Sequence, residues 1–132
     1  MDKKATILLV DDDADFIEST KTVLESKPYE VIVAMNGSDA LSKAREKKPD
    51  LILLDIIMPF EDGFTAAEHL KKDTQLAKIP VLMLTSYSKK GAGTGIPRSR
   101  GLSLEAEDYI EKPITPGELL STVEKYLKKS GI

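Results

Sequence analysis

Four short runs of apolar residues recur along the chain: 7–10 (ILLV), 31–34 (VIVA), 51–54 (LILL) and 81–84 (VLML), with a weaker fifth at 108–110 (DYI). They are continuous rather than alternating, the pattern of strands buried on both faces of a parallel sheet. The segments between them carry helical spacing. In ADFIESTKTVLES the set Phe16, Ile17, Thr20, Val23, Leu24 falls on one helical face. GSDALSKAREKK places Ala40, Leu41 and Ala44 together, with Ser38 as the expected N-cap. DGFTAAEHLKK turns Phe64, Ala67 and Leu70 inward. TPGELLSTVEKYLKK has Thr115 as N-cap, Pro116 at the first helical position and Glu118 completing a capping box. Its apolar face is Leu119, Leu120, Val123 and Leu127.

The resulting order, β-α-β-α-β-α-β-x-β-α, predicts an α/β fold with an open, doubly wound parallel sheet. Right-handed crossovers bring all strand C-termini to one edge, and ligands of such folds bind there. The segment marked x, SYSKKGAGTGIPRSRGLSLEAE, breaks the pattern where a helix between the fourth and fifth strands is due. Each of its glycines (91, 93, 95, 101) costs about 1 kcal/mol in a helix and Pro97 about 3. The helix at this place is therefore expected to be atypical or missing, with at most a turn or short helix around 102–107.

Composition narrows the class without naming a chemistry. The 132 residues suit one domain, 1–132, and the reading includes no attached output domain. Without cysteine, disulfides, thiolate nucleophiles and cysteine metal sites are excluded. A net charge of −3 argues against direct nucleic-acid binding or an anionic-membrane surface. The start is too short in apolar residues for a signal peptide and no run approaches a membrane span, so a soluble, cytoplasmic protein without membrane insertion is expected.

The residues that follow the strands change the picture. They are Asp11 and Asp12, then Asp55, then Thr85, then Lys112. Alone, each has an ordinary explanation as turn, cap, strand or loop residue. Together they mass carboxylates on one edge, where like charges about 5 Å apart repel by roughly 3 kcal/mol per pair at an effective dielectric near 20. A divalent cation offsets that repulsion, and hard oxygen ligands suit Mg²⁺, with Mn²⁺ as the alternative. Lys112 and Thr85 then offer a charge and a hydrogen-bond donor to a phosphoryl group. In the run of three, Asp13 reads instead as the cap of the first helix, with Asp15 favourable in its first turn.

In this order on these strands, LLVDDD, LILLDIIMPFEDG, VLMLTS and DYIEKPIT resemble the receiver domain of two-component response regulators, of the stand-alone, chemotaxis-protein-like kind. The resemblance implies a flavodoxin-like strand order 2-1-3-4-5. It implies that Asp55 accepts a phosphoryl group from the phosphohistidine of a sensor histidine kinase or phosphotransfer protein. Asp11, Asp12, Asp55 and the backbone carbonyl of Ile57 would hold Mg²⁺. Lys112 would pair with Asp55 and then with a phosphoryl oxygen, while Thr85 and Tyr109 would move together as the switch. The Lys112–Pro113 bond matches a position that is usually cis in the family. Ser86, Ile57 and Tyr87 would govern access of the phosphoryl group and water. The domain would promote only its own phosphorylation and dephosphorylation, and would signal through an unidentified downstream protein or a phosphorelay.

Two other readings compete. A Mg²⁺ phosphohydrolase of the haloacid dehalogenase type also uses an Asp-x-Asp, a Thr and a Lys, but it needs a further acidic pair at a strand end after the lysine, where this chain has only one helix with Glu118 and Glu124, and it gives Asp55 no role. A receiver-like interaction module working without phosphorylation would not need the complete acidic set. His69, the single histidine, reads as a surface residue, and Phe64 and Tyr126 as packing residues. GAGTGI lacks the third glycine of a dinucleotide loop. It reads as a loop made basic by Lys89, Lys90, Arg98 and Arg100, a docking candidate for an acidic partner.

Overall fold

A computed structural model describes residues 4–55, 63–85, 108–111 and 114–131, with the backbone alone for 63–67, 85, 108–109 and 111. The described strands are β1 (Ala5–Val10), β2 (Tyr29–Ala34), β3 (Leu51–Asp55), β4 (Val81–Thr85) and β5 (Asp108–Glu111). The described helices are α1 (Ala14–Glu25), α2 (Gly37–Lys47), α3 (Gly63–Lys72) and α4 (Pro116–Lys129). The strands form one sheet in the order β2-β1-β3-β4-β5, every neighbouring pair parallel. This is the flavodoxin-like order that the resemblance implied. The expected atypical or missing helix between β4 and β5 lies outside the described residues.

Strand alternation explains why the apolar runs are continuous. Ile7, Leu9, Leu51, Leu53, Leu82 and Leu84 join the core on the face covered by α1 and α4. Leu8, Val10, Ile52, Leu54, Val81 and Met83 join the core on the face covered by α2 and α3. Of these twelve side chains none is exposed at all, so a polar residue at any of them would face hydrocarbon on one side or the other.

The helix ends follow the sequence closely but not everywhere. Asp13 caps α1, accepting from the amides of Asp15 at 3.0 Å and Phe16 at 3.2 Å. Thr115 caps α4 by accepting from the Glu118 amide at 3.2 Å. The second bond of that cap runs from the Thr115 hydroxyl to Glu118 Oε1 at 2.9 Å, rather than to the Thr115 backbone amide. On α2 the expected cap is corrected. Asn36, not Ser38, is the N-cap, its side chain accepting from the Asp39 amide at 2.8 Å, and the helix starts at Gly37. Both residue types cap well, so composition does not separate them. A cap at Asn36 adds the turn that holds Gly37 and Ala40 in the core.

Beyond its other end, α2 closes on Lys48, the one non-glycine with positive φ (48°) among the described residues, whose amide donates to Ala44 O at 2.8 Å. Pro49 follows and cannot continue the helix. Arg45 of α2 reaches the turn after α3, with Nε 3.1 Å from Asp73 Oδ2. The Gln75 amide and then the Arg45 guanidinium hold the Asp73 carboxyl below its ordinary pKa.

A side chain at the left-handed Lys48 position carries a steric penalty that glycine avoids, offset in part by the extra freedom glycine gains in the unfolded chain. Lys48→Gly is expected to stabilise the fold by about 0.5–1 kcal/mol, read as a higher urea midpoint at unchanged m-value.

Candidate functional site

The register of the central strands builds the site. Leu9 pairs with Leu53 and Val10 with Leu54, so the next residue of each strand, Asp11 and Asp55, come level across a spacing of about 4.8 Å. Both are buried, Asp11 0% and Asp55 4% exposed. Asp12 lies in the bend after β1 and is exposed. One carboxylate oxygen from each of Asp11, Asp12 and Asp55 lies within 4.8 Å of the others.

The backbone locks Asp11 in place. Its amide donates to Ala34 O of β2 at 3.1 Å, and its Oδ1 accepts from the Asp13 amide at 2.9 Å. The second contact is possible because Asp13 already turns the chain to cap α1. Positioning of the first carboxylate and initiation of the first helix are therefore one local structure. The Asp13 amide and the Ala34 carbonyl are the parts of the site that reading residue types missed. Backbone groups leave no mark in composition, and only the run of three aspartates hinted at a turn here.

Thr85 ends β4 and pairs with Glu111 of β5, so its backbone reaches the same strand edge, next to the β3 end that carries Asp55. Tyr109 lies within β5, paired with Met83. Lys112, Pro113, Ile57, Ser86 and Tyr87 lie outside the described residues, as does the GAGTGI segment with Lys89, Lys90, Arg98 and Arg100. Phe64 and Ala67 belong to α3 by their backbone, while Leu70 is fully buried. His69 is exposed and not a member of the carboxylate cluster, and Tyr126 is a core residue at 7% exposure.

Three clustered carboxylates, two of them removed from water, are costly unless a positive charge meets them. Their donor set is hard oxygen throughout, at the C-terminal edge where this fold binds ligands, and it fits a small divalent cation of the Mg²⁺ type. The rival hydrolase reading leaves Asp55 without a role, whereas here it is a buried member of the cluster.

A parallel sheet in this order is the flavodoxin-like arrangement, with carboxylates gathered where β1 and β3 end. The family model described as the response regulator receiver domain matches residues 7–124, and the chain belongs to that family. It is 37% identical to the phosphate regulon transcriptional regulatory protein PhoB of Pseudomonas aeruginosa, over 96% of this chain and 53% of PhoB. It is 35% identical to protein PilH of the same organism, over 93% of this chain and 98% of PilH. The chain spans about half the length of PhoB and of PhoP from Bacillus subtilis. Among solved structures, Vibrio cholerae chemotaxis response regulator CheY4 superimposes with a TM-score of 0.80 at 30% identity, covering 92% of this chain and 98% of CheY4. A CheY-like receiver domain protein from Methanospirillum hungatei JF-1 gives 0.83 at 30% identity, covering 98% and 96%. Receiver domains are signalling domains of two-component systems rather than turnover enzymes, and they bind Mg²⁺ in an acidic pocket. No helix among the described residues is long and apolar enough to cross a membrane.

Because Asp12 is the exposed member of the cluster, its charge can be removed without emptying the core. In chelator at low ionic strength, Asp12→Asn is expected to raise stability by roughly 0.5–1 kcal/mol by relieving repulsion. The gain should shrink when the unfolding curve is repeated at about 1 M salt.

Proposed function

We propose that the chain is a cytoplasmic phosphoacceptor switch that takes a phosphoryl group onto Asp55 from the phosphohistidine of a sensor histidine kinase or a phosphotransfer protein. The observation that carries this reading is the meeting of Asp11, Asp12 and Asp55 at the shared end of β1 and β3. Asp55 is the buried member that ends a central strand, beside Asp11 and Asp12, which suits it to the role of nucleophile.

A carboxylate oxygen of Asp55 forms the bond to phosphorus, and the bond from phosphorus to the histidine nitrogen breaks, its electron pair leaving with the imidazole. Asp11, Asp12, Asp55 and the Ile57 carbonyl are assigned to hold Mg²⁺ (or Mn²⁺), which when bound neutralises charge that builds up on the phosphoryl oxygens. Lys112 is assigned to pair with the Asp55 carboxylate and then with a phosphoryl oxygen. Thr85, at the end of the strand beside β3, is assigned to donate its hydroxyl to the phosphoryl group, with Tyr109 moving in concert. Lys112–Pro113 is assigned as the candidate cis peptide bond. Phosphorylation then needs to shift a two-state equilibrium by only a few kcal/mol to change the surface that a downstream protein or a further phosphorelay step reads.

Incubation with acetyl phosphate and Mg²⁺, followed by intact-mass measurement, is expected to add one phosphoryl group. The addition should vanish in Asp55→Asn and with chelator. Turnover of many equivalents of donor that survives Asp55→Asn and is lost in Asp11→Asn would establish the hydrolase instead.

Ser86, Ile57 and Tyr87 are assigned to phosphoryl access, with the small Ser86 leaving the group reachable and the bulky Ile57 and Tyr87 restricting water. The Ile57→Asn, Tyr87→Glu double variant is expected to shorten the lifetime of the phosphorylated protein, followed as loss of the added mass with time. An unchanged lifetime would remove these two residues from the mechanism.

A further inference from the structure

A cavity of about 400 Å³ opens at the end of the sheet opposite the carboxylate cluster. Lys4 stands before β1 and Asp11 after it, so the two sites are separated by the length of a six-residue strand, about 20 Å. The walls come from three parts of the chain. They are Lys4, the turn Lys27–Pro28 leading into Tyr29 of β2, and the face of α4 that carries Leu120, Ser121 and Glu124. The turn is held in place by two backbone bonds, Lys4 N to Pro28 O and Tyr29 N to Lys27 O, each 2.6 Å. The cavity is thus formed by fixed backbone, and its volume lies in the range of small-molecule sites.

The chemistry of the lining is specific. Tyr29 is 3% exposed, its ring packed in the core, yet it lines the cavity. None of the described residues supplies a hydrogen-bond partner for its hydroxyl. The hydroxyl is not among the fully buried polar atoms that lack a partner, so its open side is the cavity, where water or an occupant can accept from it. Burial, and then the neighbouring Glu124 carboxylate, push the Tyr29 phenol above its ordinary pKa, so at neutral pH it is a hydrogen-bond donor. Around it stand two ammonium groups, Lys4 and Lys27, against one carboxylate, Glu124. Leu120 and Pro28 supply apolar surface beside these groups.

We infer that this cavity is a second ligand site, taking a small monocarboxylate with a short apolar body. Its carboxylate accepts from the Tyr29 hydroxyl and the lysine ammonium groups, and its body lies on Leu120 and Pro28. The lining's surplus of one positive charge matches a monoanion, while Glu124 disfavours a phosphate dianion. Because the walls join the entry of β2 to α4, an occupant ties the first β-α unit to the last helix. The site is independent of the phosphoacceptor reading, since none of its residues belongs to the carboxylate cluster.

The probe is 3-phenylpropanoate, titrated into the protein while backbone amide NMR shifts are followed, with 3-phenylpropanamide and inorganic phosphate as controls. The acid should produce saturable shifts in the millimolar range at residues 27–29 and 120–124. Tyr29→Phe, which keeps the ring, should weaken binding about fivefold, the size of one hydrogen bond. Lys27→Gln should also weaken it, and Glu124→Gln should tighten it by removing the opposing charge. Equal shifts from the amide would overturn the inference, as would phosphate binding as tightly as the acid. So would an unaltered affinity in Tyr29→Phe. Should that variant fail to fold, the surface change Glu124→Gln decides, and unchanged or weaker binding there overturns the proposal.

Discussion

The fold depends on holding two buried carboxylates level with each other at the end of two adjacent strands. Coulomb repulsion between Asp11 and Asp55 works against the pairing of β1 with β3, the central pairing of the sheet. The opposing force is the register itself. Leu9 against Leu53 and Val10 against Leu54, all fully buried, leave the two aspartates no other place to go. A slip of one residue would turn each leucine of one core layer into the other. The apolar runs that looked merely hydrophobic in the sequence are thus the device that fixes a charged geometry.

That arrangement also links site and helix. The Asp13 amide that steadies Asp11 is available only because Asp13 has turned to cap α1. On the other side, the Asp11 amide is taken by the last carbonyl of β2. The first carboxylate is therefore braced by the strand next to it and by the helix after it. A preorganised oxygen cluster of this kind does not need to be assembled when a ligand arrives.

Much of this was legible in the residues because the signals are local or periodic. Period-2 burial on both faces appears as unbroken ILLV and LILL runs, and the α4 cap is spelled out by Thr115, Pro116 and Glu118. The carboxylate cluster was legible because strand ends must share one edge in a sheet of right-handed crossovers. The strand order itself came from the family resemblance, since pairing partners are long-range and leave no local trace. Asn36 was missed as a cap because Ser38 satisfies the same rule two residues later. The cavity at Tyr29 was invisible because its walls, residues 4, 27–29 and 120–124, are joined only by folding. No motif exists for a tyrosine whose ring lies in the core while its residue lines a cavity.

Lys43 carries a last consequence. Its ammonium reaches the carbonyl of Val33 and lies 3.3 Å from Asp39 Oδ2. The Ala34 carbonyl points inward, to Asp11, so the Val33 carbonyl points to the outer side of β2. That side is the open margin of the sheet, the place where a foreign strand could add itself by backbone hydrogen bonding. A lysine seated on that carbonyl, with Glu30 exposed further along the same strand, sets charge in the path of such an addition. One backbone acceptor on that margin is thus already taken by a side chain from the following helix, which hinders strand addition at that point without burying the strand.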